Sequence, residues 1–183
     1  NLAKELDISR EDQEDFAISS HEKALKAISD GYFDNEVVPV KFNGVTISID
    51  EGPRDPDKEK IKSLDPAFDS DGTITAATSS PVSIGASAML LIDNTLKEKH
   101  DLSPKFKVVS RAIAGVDWKT MGSGPLPASE KALSLAGLII DDIGVIELNE
   151  AFAAQSLYVI RKSGWSPEKI NIFGGAIALG HPL

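Results

Sequence analysis

Two stretches near the end of the chain carry the residue types best suited to chemistry. In "VIELNEAFAAQ" an amide side chain, Asn149, stands where a short apolar run gives way to a helical pattern. In "GGAIALGHP" an imidazole, His181, is set between Gly180 and Pro182. The apolar run at 145–148 reads as a strand, and ligands of α/β sheets gather at the carboxyl ends of strands. Asn149 at such an end has two readings. It can accept from the N–H groups that open the next helix, and Asn is among the best residues for that role. Alternatively, its amide faces outward and holds a water or an oxyanion. The position alone favours the cap. His181 is also open to two readings. A lone histidine is most often a surface or core residue, but Pro182 restricts the backbone of the residue before it. Gly174 and Gly175, at the end of an apolar run, let the backbone approach a ligand. That stiffness suits a side chain that must point one way. A plain structural turn would look similar.

The rest of the composition narrows the field. The 183 residues contain no cysteine, which excludes a disulfide, a thiolate metal site or a thiol nucleophile within them. The three histidines, His21, His100 and His181, lie far apart without ligand spacing, so no metal site is expected. A formal charge of -9 repels phosphate backbones, so nucleic acid is not an expected partner. A small anionic ligand needs only local cations or helix N-termini. No apolar run approaches the length of a membrane span. No signal-peptide pattern opens the chain. Asn1 follows no initiator Met and "NLAKEL" reads as the middle of a helix, so the natural start is expected upstream and the compartment stays open.

Elements that could position these side chains follow from periodicity. Residues 5–31 predict a helix, with Ser9 as N-cap, Asp12 as the reciprocal member of a capping box, and Gly31 after its end. Phe16, Ser20, Ala24, Ala27 and Ile28 line its inner face, and His21 beside them is expected to be exposed. Asn43-Gly44 between two β-rich runs predicts a hairpin, its first run limited by Pro39. The charged, turn-rich stretch 51–72 reads as a solvated loop with a short helix near 58–64, although Arg54 and its lysines could also rim a phosphate site. Residues 86–92 predict a buried strand and 94–100 a short surface helix. Beyond 105 the pattern alternates: strand 107–114, a helix capped near 127–129 and closed by Gly137, strand 145–148, helix 151–162 and strand 170–173. Alternation of this kind predicts a layered α/β domain.

Taken together, the motifs resemble the thiolase family, enzymes that make or cleave 3-ketoacyl-CoA. "NEAFAAQ" and "GGAIALGHP" are its most specific internal signatures. "ISREDQEDFAISSHEKALKAISDGYFDNEVVPV", "DEGPRDPD", "DGTITAATSS", "GASAMLL" and "MGSGPLPASEKALSLAGL" fall in the family's order, so the resemblance spans essentially the whole chain. It implies a five-layer fold of two α/β halves with a loop domain over the active site. Residues 1–79 would be the latter part of the loop domain, 80–100 the last strand and helix of the first half, and 104–183 the opening of the second half. The resemblance further implies acyl transfer through a cysteine thioester, with coenzyme A as cosubstrate and no metal or other cofactor. His181 matches the histidine that activates the nucleophilic cysteine and donates to an oxyanion hole. Asn149 matches the asparagine that holds the water completing that hole. Phe152, Ser80 and Ala76 match residues against the acyl or pantetheine arm, and Phe68 one near the CoA channel. A homodimer or homotetramer is implied for the whole protein.

The departures matter as much. Both family cysteines belong to segments flanking this chain, so it is expected to be an internal piece, inactive alone. The family's usual Gly-Asn-Ala-Ser-Gly is replaced by Ala77-Thr78-Ser79-Ser80-Pro81, and Ile84 stands where an acidic residue is frequent. The stretch "TAATSSPVSIGASA" leans toward the branch acting on longer acyl chains. A rival expectation is a non-catalytic, thiolase-like subunit that binds acyl-CoA or serves assembly.

Overall fold

A computed structural model describes residues 1–182 of the chain. Its spine is α2 (Arg10–Ser29), which opens with the expected capping box. Asp12 N–H donates to Ser9 Oγ at 3.0 Å, and Ser9 N–H donates to the Asp12 carboxylate at 2.9 Å. Upstream, "NLAKEL" is not mid-helix. It forms a separate one-turn helix, α1 (Leu2–Glu5), cut off from α2 by Asp7 in the left-handed region at φ 48°. The inner face of α2 is built from small residues, with Ala17, Ala24 and Ala27 all buried. Small side chains let other backbones come close, and α6 (Ala153–Ser163) and α7 (Ala176–Leu179) both pack there. His21 is only 5% exposed, not on the surface as expected. The helix is ringed by neighbours, which its own periodicity does not reveal.

The main core cluster joins α6 to the strand-like runs on either side of it. Ile8, Leu148, Tyr158, Val159, Ile160, Trp165 and Ile170 are buried together. An ion pair of 2.9 Å between Arg161 and Asp12 fixes α6 to the start of α2.

The hairpin forms as predicted, β1 (Val40–Phe42) against β2 (Val45–Ile47), with Val40 opposite Ile47 and Phe42 opposite Val45. Asn43 and Gly44 take positive φ at its turn, as a two-residue turn of this hand requires. Two short helices, α3 (Lys58–Lys62) and α4 (Asn94–Lys99), occupy their expected places. α5 (Pro125–Ala136) starts earlier than expected, with Gly124 as its N-cap, and closes at Gly137.

The remaining strand expectations are corrected. Residues 86–92 and 107–114 run without a paired neighbour among the described residues. Both are exposed, although 86–92 is expected to be buried, with Leu90 at 86% and Ile113 at 87%. A strand is defined by its partner's hydrogen bonds, which local sequence does not supply. Residues 145–148 and 170–173 do meet, through a single parallel bridge between Ile146 and Ile170.

Candidate active site

The bridge between Ile146 and Ile170 is the foundation of the site. Ile146 N–H donates to Lys169 O at 2.8 Å, and Asn171 N–H donates to Ile146 O at 2.9 Å. The ladder then changes character at Asn171, whose φ is 45°. Its side chain continues the pairing that its backbone gives up. Leu148 N–H donates to Asn171 Oδ1 at 2.8 Å, and Asn171 Nδ2 donates back to Leu148 O at 2.8 Å. The chain at 148–150 is therefore held as an extended segment. Alternation along it buries Leu148 and Glu150 and leaves Asn149 exposed.

Asn149 is not the helix cap. The N-cap of α6 is Phe152, three residues later, and no side chain caps that helix. The extended run continues past Asn149 because Ser79 bridges Phe152 and Ser80 N–H donates to Ala151 O at 3.0 Å. The capping reading thus gives way to an amide that faces outward.

His181 reaches the same place from the other side. After α7, Gly180 turns the chain at φ 102°, where a side chain would be strained. The next N–H, that of His181, donates to Ser83 Oγ at 2.9 Å. A Cβ at Gly180 would crowd that same hydroxyl at 2.7 Å. So pinned, His181 Nε2 stands 3.2 Å from Asn149 Nδ2. The amide N–H donates to Nε2 when the imidazole is neutral with its proton on Nδ1.

Both side chains line a cavity of about 510 Å³ whose other walls include Ile74, Met121, Phe152 and Gln155. That is an ordinary size for a small-molecule site, and the pattern of mainly apolar walls with a few convergent polar groups is typical. A second cleft of about 500 Å³ is lined by Phe68, Thr73 and Ile74. The Phe68 ring meets Phe152 edge-on at 6.0 Å. Ile74 lines both spaces. Ser80 and Ala76 lie outside both sets of lining residues. The Ser80 hydroxyl donates to Ala151 O at 3.1 Å, and exposed Ala76 begins a single 3-10 turn, Ala76–Thr78.

The electrostatics near the pair are set by carboxylates. Two residues before Asn149, desolvation and then the neighbouring Glu150 push the Glu147 carboxyl up, with Lys23 opposing them. Among the described residues no His, Cys, Asp and Glu cluster could hold a metal ion. Among the described residues no helix is long and apolar enough to cross a membrane.

Sequence reasoning missed Ser83, Glu150 and Asn171 as builders of the site. Their partners lie 98, 130 and 23 positions away, and no local pattern encodes such contacts.

The comparisons with known proteins bear on the family of the chain. Residues 1–95 match the family description "Thiolase, N-terminal domain", and residues 102–183 match "Thiolase, C-terminal domain". The whole chain aligns at 46% identity with half of a 3-ketoacyl-CoA thiolase from Bacillus subtilis (strain 168). It aligns at 43% identity with 48% of an acetyl-CoA acetyltransferase from Shinella zoogloeoides. In three dimensions all of it superposes on 48% of the Bacillus anthracis acetyl-CoA acetyltransferase, with a TM-score of 0.96 and 41% identity. It also superposes on 46% of human mitochondrial 3-ketoacyl-CoA thiolase in complex with CoA, with a TM-score of 0.93 and 38% identity. The chain thus spans about half the length of the curated relatives it matches. With both family domains matched in order and its folded residues superposing on part of a layered α/β thiolase, the chain belongs to the thiolase family.

Proposed function

We propose that the protein carrying this chain transfers acyl groups between CoA thioesters, by thiolysis of 3-ketoacyl-CoA or condensation of acetyl-CoA. The observation that carries this reading is the 3.2 Å approach of Asn149 and His181 at one cavity. Thiolysis needs a thiolate to attack the 3-keto carbon. The bond between C2 and C3 then breaks, its electron pair passes to C2 as an enolate, and a proton quenches it. A CoA thiol finally takes the acyl group from the enzyme sulfur. A free thiol has a pKa of about 8.5, so a nearby base is needed at neutral pH.

This chain has no cysteine, so its contribution is the base and the oxyanion site. In this reading His181 activates a cysteine from outside these residues and donates to the thioester oxygen, and Asn149 holds the water that completes the hole. Phe152 and Phe68 wall the acyl and pantetheine arm. Ser80 and Ala76 serve the same arm, Ser80 by holding the loop before it against Ala151. CoA is a cosubstrate, with no resident cofactor or metal. A homodimer or homotetramer is the assembly in keeping with the family.

Acetoacetyl-CoA and CoA incubated with the intact protein should yield acetyl-CoA, while the 183-residue polypeptide alone should yield none. Tight acyl-CoA binding by the intact protein without turnover would replace this reading with that of a binding subunit.

A further inference from the structure

We infer that Glu150 is a positioning residue whose buried carboxylate sets the distance between Asn149 and His181. Glu150 is 2% exposed, and no cation pairs with it among the described residues. Three donors satisfy it instead. Its Oε2 accepts from Ser20 Oγ at 2.6 Å and from Ile177 N–H at 3.1 Å. Its Oε1 accepts from Asn171 Nδ2 at 2.8 Å. Ser20 Oγ in turn accepts from Gly175 N–H at 3.1 Å. A Cβ at Gly175 would overlap the carboxylate, so the start of α7 lies directly against it.

These contacts place one side chain between the run that carries Asn149 and the short helix that leads to His181. Through its own backbone Glu150 adjoins Asn149. Through Asn171 it holds the end of the strand-like run. Through Ile177 and Gly175 it holds α7, whose far end leads to His181. α7 has only four residues and no side-chain cap, so its position depends on such ties more than on helix stability of its own. A hydrogen-bonded carboxylate is stiffer and stronger than a neutral acceptor in that place. The two motifs are thereby locked to each other, not merely folded next to each other.

The inference rests on the acyl-transfer reading for its kinetic readout. In the intact protein, Glu150→Gln keeps the size of the side chain but sets an NH2 group against a donor. Assayed well below the variant's melting temperature, it should lower kcat by about 10- to 100-fold, the range that small misplacements of catalytic groups produce. KM for acetoacetyl-CoA should stay within about two-fold, because the loss falls on the transition state. The deciding measurement is the cycle with Asn149→Ala. In that background Glu150→Gln should cost under about three-fold, because the two changes damage one unit. A full, multiplicative loss there, or an unchanged kcat in the single variant, would overturn the inference. If Glu150→Gln does not fold, Ser20→Ala removes one of the three donors and should show the same coupling on a smaller scale. If the wild-type protein shows no turnover, the functional reading fails separately. The inference is then decided by 15N shifts of the His181 ring. Glu150→Gln should redistribute its tautomers, and an unchanged ratio would overturn it.

Discussion

At the scale of single residues, the pair of Asn149 and His181 shows how little a side chain's type says without its neighbour. An asparagine after a strand and a histidine before a proline are each commonplace. At 3.2 Å apart they form a polar corner in an apolar cavity. Asn149→Ala in the intact protein should lower kcat by about 10²–10³-fold, the usual cost of removing one oxyanion donor. Steady-state kinetics with acetoacetyl-CoA measure it. His21 gives a second prediction of a different kind. It is buried, and Arg54 N–H donates to its Nδ1 at 3.4 Å. Burial, then the Arg54 charge, hold its pKa below the ordinary value. The unfolded chain therefore binds the proton more readily. The stability that His21 contributes is complete above about pH 6.5 and is lost as the pH falls toward the depressed folded value. His21→Asn should flatten the acid side of a plot of urea midpoint against pH in that window, and an unchanged slope would contradict the assignment.

At the scale of elements, legibility followed the range of the interactions. The start of α2 was readable because Ser9 and Asp12 satisfy each other within one turn. Ser9→Ala should cost about 1 kcal/mol of stability, read by urea denaturation of the intact protein. Asp12 should show a linked pH effect. Hydrogen bonds from Arg161, then from Ser9, hold its carboxyl below the ordinary range. That contribution is present at neutral pH and disappears as acidity passes the lowered folded value. The Asn43-Gly44 turn was equally local. The site was half legible, since the motifs around Asn149 and His181 stood out while the ties holding them did not. Ser83, Glu150, Asn171 and Ser20 are ordinary polar residues whose partners come from distant parts of the chain. The expected strands at 86–92 and 107–114 failed for the converse reason. Their apolar character was read correctly, but strand identity requires a neighbour at hydrogen-bonding distance.

At the scale of the whole molecule, the decisive quantity is surface. The chain of 19.5 kDa exposes 12980 Å². A compact monomer of that mass exposes roughly 8,500 Å². The excess is concentrated in apolar residues that a folded monomer ordinarily covers. Val82 and Ile84 are fully exposed, and Met89, Phe106, Ile113 and Trp118 each show more than three quarters of their surface. The hairpin adds Val40, Phe42, Val45 and Ile47, which the register places on one face. Each square ångström of apolar surface removed from water is worth about 25 cal/mol, so the uncovered surface is a strong driving force for association. Unpaired extended segments of this kind also present free backbone donors and acceptors to other chains. The relatives are about twice as long, so their chains have the length to cover such a surface. The 183-residue polypeptide prepared alone should therefore bind a hydrophobic dye, self-associate at micromolar concentration and melt without a sharp transition. Calorimetry with light scattering decides the matter, because a monomer with one cooperative transition would mean that residues 82–116 find their cover within this chain.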